Sequence, residues 1–284
     1  MTPDVIERFG DSLVQHGKAN DRAYLMKIGK RDHPEIVDQV VSLALVNGYS
    51  KIFVKASAFA RLAFMESSFV EEARIPGLFK GKEDGFFLSK FLSEKRQKER
   101  HSDLVSQVLQ SARQKAGMLE VPVLSPGQIC LIMGKEDVEE MAHLYRKVFA
   151  SYPFPIHDPA YLARTMDENL VYYGIRAEDR LIALASTEHD FDGQNAEMTD
   201  FATLPEFRGH GLASYLLNRM EQGIKKAGVK TAYTIARAYS FGMNITFARQ
   251  GYSYGGTLTN NTQISGDLES MIVWYKHLGD HPLP

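Results

Sequence analysis

The residues best suited to chemistry form a short glycine turn, Arg208-Gly209-His210-Gly211-Leu212-Ala213, between a predicted strand and a predicted helix. Glycine adopts backbone conformations that other residues avoid, so this turn can direct several backbone N–H groups towards one point. The helix that follows adds the positive end of its dipole. The sequence therefore predicts an anion site suited to a pyrophosphate. Two glycines after a strand also form ordinary turns, so the surrounding elements must decide between these interpretations.

The elements around the glycine turn alternate between strands and helices. The segment AEMTDFATL predicts the strand that enters the turn, and SYLLNRMEQGIKKAG predicts the helix that leaves it. Upstream lie ICLIM, a predicted helix over 137–149 and the strands NLVYYGIRA and RLIALASTEHD. Downstream lie the strand KTAYTIA, the helix GMNITFARQG and two further strands. This order is typical of a mixed α/β domain.

The first part of the chain predicts a second, smaller α/β unit. An amphipathic helix over 34–47 is followed by the strand KIFVKA, an Ala/Phe-rich helix over 59–67 and two strands, FVEEARI and DGFFLSKFL. Residues 93–116 form a charged helical run with both signs mixed along it, which favours a solvated linker helix ending at Gly117. We therefore predict an N-terminal domain over 1–117 and a second domain over 118–284.

An internal echo links the two predicted domains. The order of elements in 51–92 repeats in 230–278, and each copy follows an amphipathic helix. This indicates that the N-terminal domain is a degenerate half of the same fold, although any two segments with this order of helices and strands look alike. The first copy lacks a glycine turn, so we assign it no cofactor site.

Composition and charge exclude several classes of function. The 284 residues carry a formal net charge of -2, so there is no broad cationic surface to attract nucleic acid or an anionic membrane. The longest apolar stretch, around 40–46, is too short to span a bilayer, and the N-terminus is acidic where a signal peptide would be basic. We expect a cytoplasmic protein with neither nucleic acid nor membrane as a partner. A homodimer formed through the N-terminal half is one assembly that the sequence allows.

Thiol, metal and nucleotide-kinase chemistry find little support in the sequence. Cys130 is the only cysteine, which excludes an internal disulfide, and its neighbours QICLIM are typical of a buried strand, so we expect no catalytic thiol. His277 and His281 are four residues apart but lack further ligands nearby, so we predict no metal site. No GxxxxGK[ST] run is present, which argues against a P-loop kinase.

Two motifs give the second half of the chain a family resemblance. The segment TDFATLPEFRGHGLASYLLNRME resembles the acetyl-CoA signature of the GNAT N-acetyltransferases, R/Q-x-x-G-x-G/A. The later segment MNITFARQGYSYGG resembles their second motif, in which an Asn-bearing helix ends at Gly-aromatic. Together with KIFVKA and EEARIPGLFKGKEDGFFLSKF near the N-terminus, these segments resemble the bacterial and archaeal beta-lysine N-acetyltransferases over most of the chain.

The resemblance implies a GNAT acyl-CoA N-acyltransferase fold, with acetyl-CoA as co-substrate and no metal. It also implies a small-molecule amine substrate, (S)-β-lysine, acetylated on its ε-amine to give Nε-acetyl-β-lysine, a compatible solute. The backbone amides of 201–203 would pair with the pantetheine arm and help to polarise the thioester oxygen. The residues expected to contact the cofactor are Phe201, Ala202, Thr203, Arg208, Gly209, His210, Gly211, Leu212, Ala213, Ser214, Asn244, Phe247 and Arg249, with a surface role as an equal alternative for Arg249.

A general base is the catalytic group that this resemblance requires. The amine attacks the thioester directly, and an ε-ammonium with a pKa near 10.4 is almost fully protonated at pH 7. The strand before the glycine turn offers Glu197 and Asp200. They are three residues apart and face opposite sides of a strand unless a bulge intervenes. We prefer Glu197; the alternative is that both are solvent-facing or capping carboxylates.

The usual general acid is missing from the sequence. Many GNAT enzymes carry a tyrosine four residues before the Gly-aromatic pair, and Phe247 occupies that position here. Either the thiolate leaves without protonation, or Tyr239 or Tyr252 supplies the proton. Buried tyrosines often have a structural role instead.

A β-amino acid substrate needs a cation for its carboxylate and acidic or carbonyl groups for its second amine. Arg237, Asn260, Asn261 and Glu269, with Tyr239, lie in segments that match the beta-lysine family, so we nominate them as substrate-binding. Two other functions stay open. One is a GNAT enzyme for another amine, such as a polyamine, an aminoglycoside or a protein N-terminus. The other is a non-catalytic acyl-CoA sensor, against which the intact turn and the carboxylates argue.

Overall fold

The computed structural model describes residues 4–119 and 122–279. Strands dominate the N-terminal part of the chain. Its elements are β1 (Val5–Phe9), β2 (Ser12–Gly17), β3 (Arg22–Lys27), α1 (Ile36–Val46), β4 (Lys51–Ser57), α2 (Ala58–Glu66), β5 (Val70–Phe79), β6 (Glu83–Phe91), α3 (Glu94–Gln97) and α4 (Ser102–Gln114). The predicted helices and strands of this part are confirmed, whereas the sequence analysis assigned nothing to β1, β2 and β3.

The C-terminal part follows the predicted order of strand, helices, hairpin, strand and glycine turn. Its elements are β7 (Gln128–Ile132), α5 (Val138–Val148), α6 (Pro159–Glu168), β8 (Leu170–Ala177), β9 (Arg180–Asp190), β10 (Asn195–Thr203), α7 (Leu212–Lys226), β11 (Thr231–Arg237), α8 (Phe241–Arg249), β12 (Ser253–Ile264) and β13 (Asp267–His277). The mixed α/β fold class is confirmed.

The described strands form one 13-stranded sheet in the order β1-β2-β3-β4-β6-β5-β12-β13-β11-β10-β9-β8-β7. The pairs β3–β4 and β10–β11 are parallel, and the other neighbours are antiparallel. From β1 inwards, the N-terminal half has the order β1-β2-β3-β4-β6-β5. From β8 inwards, the C-terminal half has the equivalent order β8-β9-β10-β11-β13-β12. In both halves the third and fourth strands form the parallel pair. The echo between 51–92 and 230–278 is therefore visible as β4-α2-β5-β6 and β11-α8-β12-β13. A common origin for the halves, and the domain boundary at Gly117, stay predictions.

The two halves of the sheet meet at Gly256. Its only register partner across the junction is Ala73 of β5. Gly256 has a φ of +149°, and a Cβ atom there would lie 2.2 Å from the carbonyl oxygen of Glu72. Because no side chain fits at this distance, glycine is required for β5 and β12 to approach.

Alternating residues of β3 and β4 separate a helix-covered face from a face that points towards the C-terminal half. On one face Ala23, Leu25, Ile52 and Val54 pack with α1 and α2. On the other, Tyr24 and Phe53 join a cluster that includes Tyr233, Leu258 and Met271 of the C-terminal half. The period of two in β-strands produces this division. The space between this second face, with Tyr24 and Phe53, and the C-terminal half holds the site described below.

Two sequence-based expectations were wrong in detail. α4, expected to be a solvated linker, buries Val105, Val108 and Ala112 in the core of the C-terminal half and packs against α8. Its mixed charges occupy only the outer face. QICLIM forms the predicted strand β7, but this is an edge strand, and Ile132 is 68% exposed. Among the described residues, no helix is long and apolar enough to cross a membrane.

Candidate active site

A cavity of about 1070 Å³ lies between the two halves of the chain. Its walls come from β3 and β4 on one side, from β10, β11 and the glycine turn on the other, and from the α5–α6 connection. Glu197, Asp200, Phe201, Thr203, Arg208, Gly209, Gly211, Leu212, Ala213, Ser214, Arg237, Phe247, Arg249 and Asn261 all line it. The structure therefore brings most of the predicted site residues to one cavity.

The cavity enters the sheet where β10 and β11 separate. Their parallel ladder runs only from the pair Asn195–Thr231 to the pair Glu197–Tyr233. Beyond Glu197, a bulge in β10 shifts its register against β9 between Thr199 and Ala202. At this bulge Asp200 adopts a φ of +56°. The backbone groups that follow, on the edge facing β11, are thus outside the parallel ladder and are available to pair with an extended ligand.

The glycine turn has the geometry expected of an anion site. Gly209 and Gly211 have φ values of +82° and +74°, and no atom lies within 4 Å of the Cβ position at Gly209. The first helical hydrogen bond of α7 runs from the Tyr215 N–H to the Gly211 carbonyl. The N–H groups of Leu212, Ala213 and Ser214 therefore have no intrahelical acceptor. Arg208 and His210 are exposed at the turn, where each contacts a backbone carbonyl, of Thr203 and Phe207 respectively.

Glu197 is the carboxylate at the point where the parallel strands part. Tyr233 of β11 lies opposite it in the parallel ladder and favours its ionised form, and Glu188 of β9 lies opposite it in the antiparallel ladder. Burial raises the pKa of Glu197 to about 8, and the neighbouring charge of Glu188 acts in the same direction. Lys55, from β4, opposes this shift and lies 3.3 Å from the Tyr233 hydroxyl.

Asp200 also faces the cavity, because the bulge turns it to the same side as Glu197. Its carboxylate is buried and accepts hydrogen bonds from the hydroxyl groups of Tyr152 at 2.6 Å and Ser186 at 2.5 Å. Burial raises the pKa of Asp200, and these hydroxyl donors counteract the shift. A carboxylate held in this way fixes the bulge, and its lone pairs are partly occupied. Glu197 is the better placed of the two to accept a proton.

Neither tyrosine nominated as a general acid lines the cavity. The Tyr239 hydroxyl donates to Glu99 at 2.7 Å. Tyr252 is buried against Phe247, with their ring centroids 5.0 Å apart, and the Lys276 ammonium lies 5.5 Å from its ring. Burial raises the pKa of both phenols, that of Tyr252 well above its usual value. Both side chains therefore make structural contacts, and neither is positioned to protonate the leaving thiolate.

Asn244 does not reach the cavity. Its amide group donates to the carbonyls of Arg237 and Ser240, and its carbonyl oxygen accepts from the Trp274 indole at 2.8 Å. The side chain is buried and locks the start of α8 onto β13. Phe247, one turn later, faces the cavity and packs edge-on against Phe201. Ala202 is buried in the core and lies outside the cavity lining.

The residues nominated for substrate binding divide into two groups. Arg237 and Glu269 form a bidentate ion pair, with distances of 2.9 and 2.5 Å, so they neutralise each other. Asn260 is buried and donates to the carbonyls of Arg96 and Lys98, which ties α3 to β12. Asn261, the next residue, lines the cavity. Of the four, only Arg237 and Asn261 contact the cavity.

Several residues of the site were missed by the sequence analysis. Glu188, Tyr152, Arg22, Tyr24 and Lys55 all line the cavity, and the last three come from the N-terminal half. No short motif surrounds them. Their only sequence signal is alternation, since Arg22 and Tyr24 share one face of β3.

The remaining titratable candidates lie elsewhere. His277 contacts the Thr231 hydroxyl at 3.3 Å, and His281 lies outside the described residues. Burial raises the pKa of the Cys130 thiol, which is unfavourable for a reactive thiolate. In the described part of the chain, no three His, Cys, Asp or Glu side chains are grouped so that they could hold a metal ion.

The sequence is similar to those of known acetyltransferases. Residues 138–252 match the acetyltransferase (GNAT) family. The beta-lysine N(6)-acetyltransferase of Methanococcus maripaludis is 38% identical over 271 residues, which cover 95% of this chain and 98% of that protein. The N-acetyltransferase YodP of Bacillus subtilis is 32% identical over 270 residues, covering 94% and 96%.

Among solved structures, the ribosomal-protein-S18-alanine N-acetyltransferase from Escherichia coli aligns with 55% of this chain and 96% of its own, at 16% identity and a TM-score of 0.48. The sequence relatives extend over both halves of the chain. With a relative of 38% identity spanning nearly its full length, this chain belongs to the GNAT family of N-acetyltransferases.

Proposed function

We propose that this enzyme transfers the acetyl group of acetyl-CoA to the ε-amine of β-lysine. The observation that carries the proposal is a single cavity with the glycine turn and Glu197 both in its wall. The glycine turn suits the diphosphate of a nucleotide cofactor, and Glu197 suits proton removal from an amine. The similarity to the beta-lysine N(6)-acetyltransferase of Methanococcus maripaludis supports β-lysine as the amine.

Acetyl-CoA fits the residues present. Gly209 and Gly211 leave space beside backbone N–H groups at the start of α7, which suits a pyrophosphate. The unpaired edge of β10 around 201–203 suits the amides of a pantetheine arm. When bound, acetyl-CoA supplies the thioester carbonyl that the amine attacks. The N–H groups at the bulge can stabilise negative charge on an acyl oxygen.

Glu197 is the proposed general base. The substrate arrives as an ammonium ion, which the paired carboxyls Glu188 and Glu197 attract. Because burial holds the pKa of Glu197 near 8, its carboxylate is a stronger base than an ordinary glutamate and takes the proton from the ammonium more readily. The free amine then attacks the thioester carbonyl, and the C–S bond breaks without a tyrosine acid, since a thiol pKa near 8.5 makes the thiolate a competent leaving group. The attacking nitrogen gives up its second proton to the departing thiolate or to solvent, which yields the amide and free CoA.

The direct test is release of free CoA thiol from acetyl-CoA with β-lysine, α-lysine, spermidine or buffer alone. We expect release with β-lysine and a product acetylated on the ε-nitrogen, identified by NMR. Release with spermidine instead would retain the enzyme class and overturn the substrate. Binding of acetyl-CoA without turnover of any amine would favour the sensor. The proposal also carries a cytoplasmic location, which fractionation of the producing cells would test.

A further inference from the structure

Three buried cations lie where the two halves of the chain meet. Lys51 is 2.7 Å from the Glu72 carboxylate, and Arg96 is 3.6 Å from that of Asp21. Arg22, which is 3% exposed, has no ion pair with any described residue. Burial lowers its pKa to about 10, so it stays charged at neutral pH. A buried charge without a counter-ion is unfavourable, so an anionic ligand beside Arg22 would be stabilised by it.

The hydrogen bonds of Arg22 leave part of its guanidinium unused. Nη1 donates to the Asn261 carbonyl at 2.5 Å and to the Thr262 hydroxyl at 3.2 Å, and Nη2 donates to the Gln15 side chain at 3.3 Å. Nε is buried without a partner among the described residues. Of five N–H donors, the Nε–H and one Nη2–H therefore remain. These adjacent nitrogens are the pair that Arg237 uses to bind the Glu269 carboxylate.

Asn261 presents an unused acceptor beside Arg22. Its side chain is buried and lines the cavity, and Oδ1 has no hydrogen-bond partner among the described residues. A buried carbonyl oxygen without a donor is a rare and costly arrangement. An ammonium group would satisfy it. Arg22 and Asn261 thus offer complementary groups, one for an anion and one for a cation, on the same wall of the cavity.

We propose that Arg22 and Asn261 form the subsite for the head group of an amino-acid substrate. Arg22 binds the substrate carboxylate through Nε and Nη2, Asn261 Oδ1 accepts from the neighbouring ammonium, and the distal amine reaches Glu197. The inference rests on the proposed function, since it assumes that the distal amine is acetylated. It assigns recognition of the carboxylate, which separates an amino acid from a polyamine, to Arg22 of the N-terminal half.

Other cations in the cavity wall are less suited to this role. Arg237 is neutralised by Glu269. Arg8 and Arg164 are exposed, so their contacts with a carboxylate would be weakened by water and salt. Lys55 faces the carboxyls Glu188 and Glu197. Arg208 lies at the glycine turn, and Arg249 has contacts of its own at the end of α8.

The test compares β-lysine with 1,4-diaminopentane, which has the same two amines and lacks the carboxylate. In the wild-type protein β-lysine should have the lower KM and the lower Kd by calorimetry. Arg22→Gln should raise both values for β-lysine by on the order of 10²-fold, and leave those for the diamine and for acetyl-CoA unchanged. Arg22→Lys should show a smaller selective loss, because a lysine keeps the charge and loses the bidentate fork.

Two further variants keep the proposal testable if Arg22→Gln folds poorly. Asn261→Asp places a carboxylate beside Arg22 without removing it, and should produce the same selective loss of β-lysine binding. Arg164→Gln removes an exposed cavity arginine and should produce none. Equal losses with β-lysine and the diamine in Arg22→Gln would mean a structural role and overturn the proposal. A selective loss of β-lysine binding in Arg164→Gln, with none in Arg22→Gln, would place the carboxylate at Arg164 and overturn the proposal.

Failure of the proposed function is distinguishable. If no amine is acetylated, the calorimetric comparison still reports on the subsite: β-lysine binding that depends on Arg22 supports it, and equal binding of both amines overturns it.

Discussion

Glu188 and Glu197 lie directly opposite each other on the antiparallel strands β9 and β10. Two carboxyls in this position repel when both are ionised, so the ladder favours a state in which at least one is protonated. Burial adds to the effect, and the pKa values of both are raised. The pair therefore holds a proton near neutral pH and can exchange it with an amine.

Glu197→Gln should lower kcat/KM at pH 7 by about 10²- to 10³-fold, because the variant cannot accept the ammonium proton. In the wild-type enzyme, kcat/KM should rise with pH through about 8, as Glu197 ionises. That inflection should be absent from the variant. Asp192→Asn, at an exposed position, is the matched control. An unchanged pH profile in Glu197→Gln would remove it as the base.

Glu188→Gln and Lys55→Met should shift the same inflection in opposite directions. The negative charge of Glu188 raises the pKa of Glu197, so its removal moves the inflection to lower pH. The charge of Lys55 lowers that pKa, so its loss moves the inflection to higher pH. The pH dependence of kcat/KM measures both. Shifts in the same direction would contradict this account of the site.

Gly211→Val should raise the KM for acetyl-CoA at least 10-fold and leave the KM for the amine unchanged. The side chain strains a residue with a φ of +74°, at a cost of about 1–2 kcal/mol, and tilts the N–H groups at the start of α7. Gly228→Val is the control, since Gly228 has a φ of +82° but lies past the far end of α7. If both variants raise this KM equally, the glycine turn does not bind the cofactor.

Tyr239→Phe and Tyr252→Phe should both retain full turnover. Neither hydroxyl lies on the cavity wall, so neither is placed to protonate a leaving thiolate. Tyr239→Phe should lower the free energy of unfolding by about 1 kcal/mol through loss of its bond to Glu99. Steady-state kinetics and urea titration separate the two effects. A large fall in kcat for either variant would identify an acid after all.

Asp200→Ala should be much less stable than Asp200→Asn. Asparagine tolerates the φ of +56° and still accepts a hydrogen bond, whereas alanine strains the bulge and leaves the hydroxyls of Tyr152 and Ser186 without an acceptor. We expect a difference of about 2–4 kcal/mol in the free energy of unfolding. Comparable losses would mean that the carboxylate does not hold the bulge.

Local signals explain what the sequence predicted well. The glycine turn is a contiguous motif between a strand and a helix, and Glu197 lies on the strand that enters it. Lys55 and Arg22 could not be found in this way, because the folded sheet brings them to the cavity from a distant part of the chain. Glu188 is close to Glu197 in sequence, but only the register of β9 against β10 places the two carboxyls opposite each other. Asn244 has the expected place in the chain, but its direction depends on Trp274, which only the folded sheet brings close.

The burial of two other elements was predicted wrongly, in α4 because of its mixed charges and in β7 because of its apolar residues. The charges on α4 obscure the spacing of Val105, Val108 and Ala112, which puts them on one buried face. QICLIM is apolar enough for an internal strand, yet the strand order of the sheet places it at the edge, beside β8.

The contact at Gly256 has a consequence for how such an enzyme can evolve. The cavity wall supplied by β3 and β4 and the wall supplied by β10, β11 and the glycine turn are encoded far apart in the chain and are brought together when the two halves of the sheet join. If Arg22 binds the substrate carboxylate as proposed, substitutions in the first sixty residues would change the amine that is accepted and leave the acetyl-transfer residues of the C-terminal half unchanged.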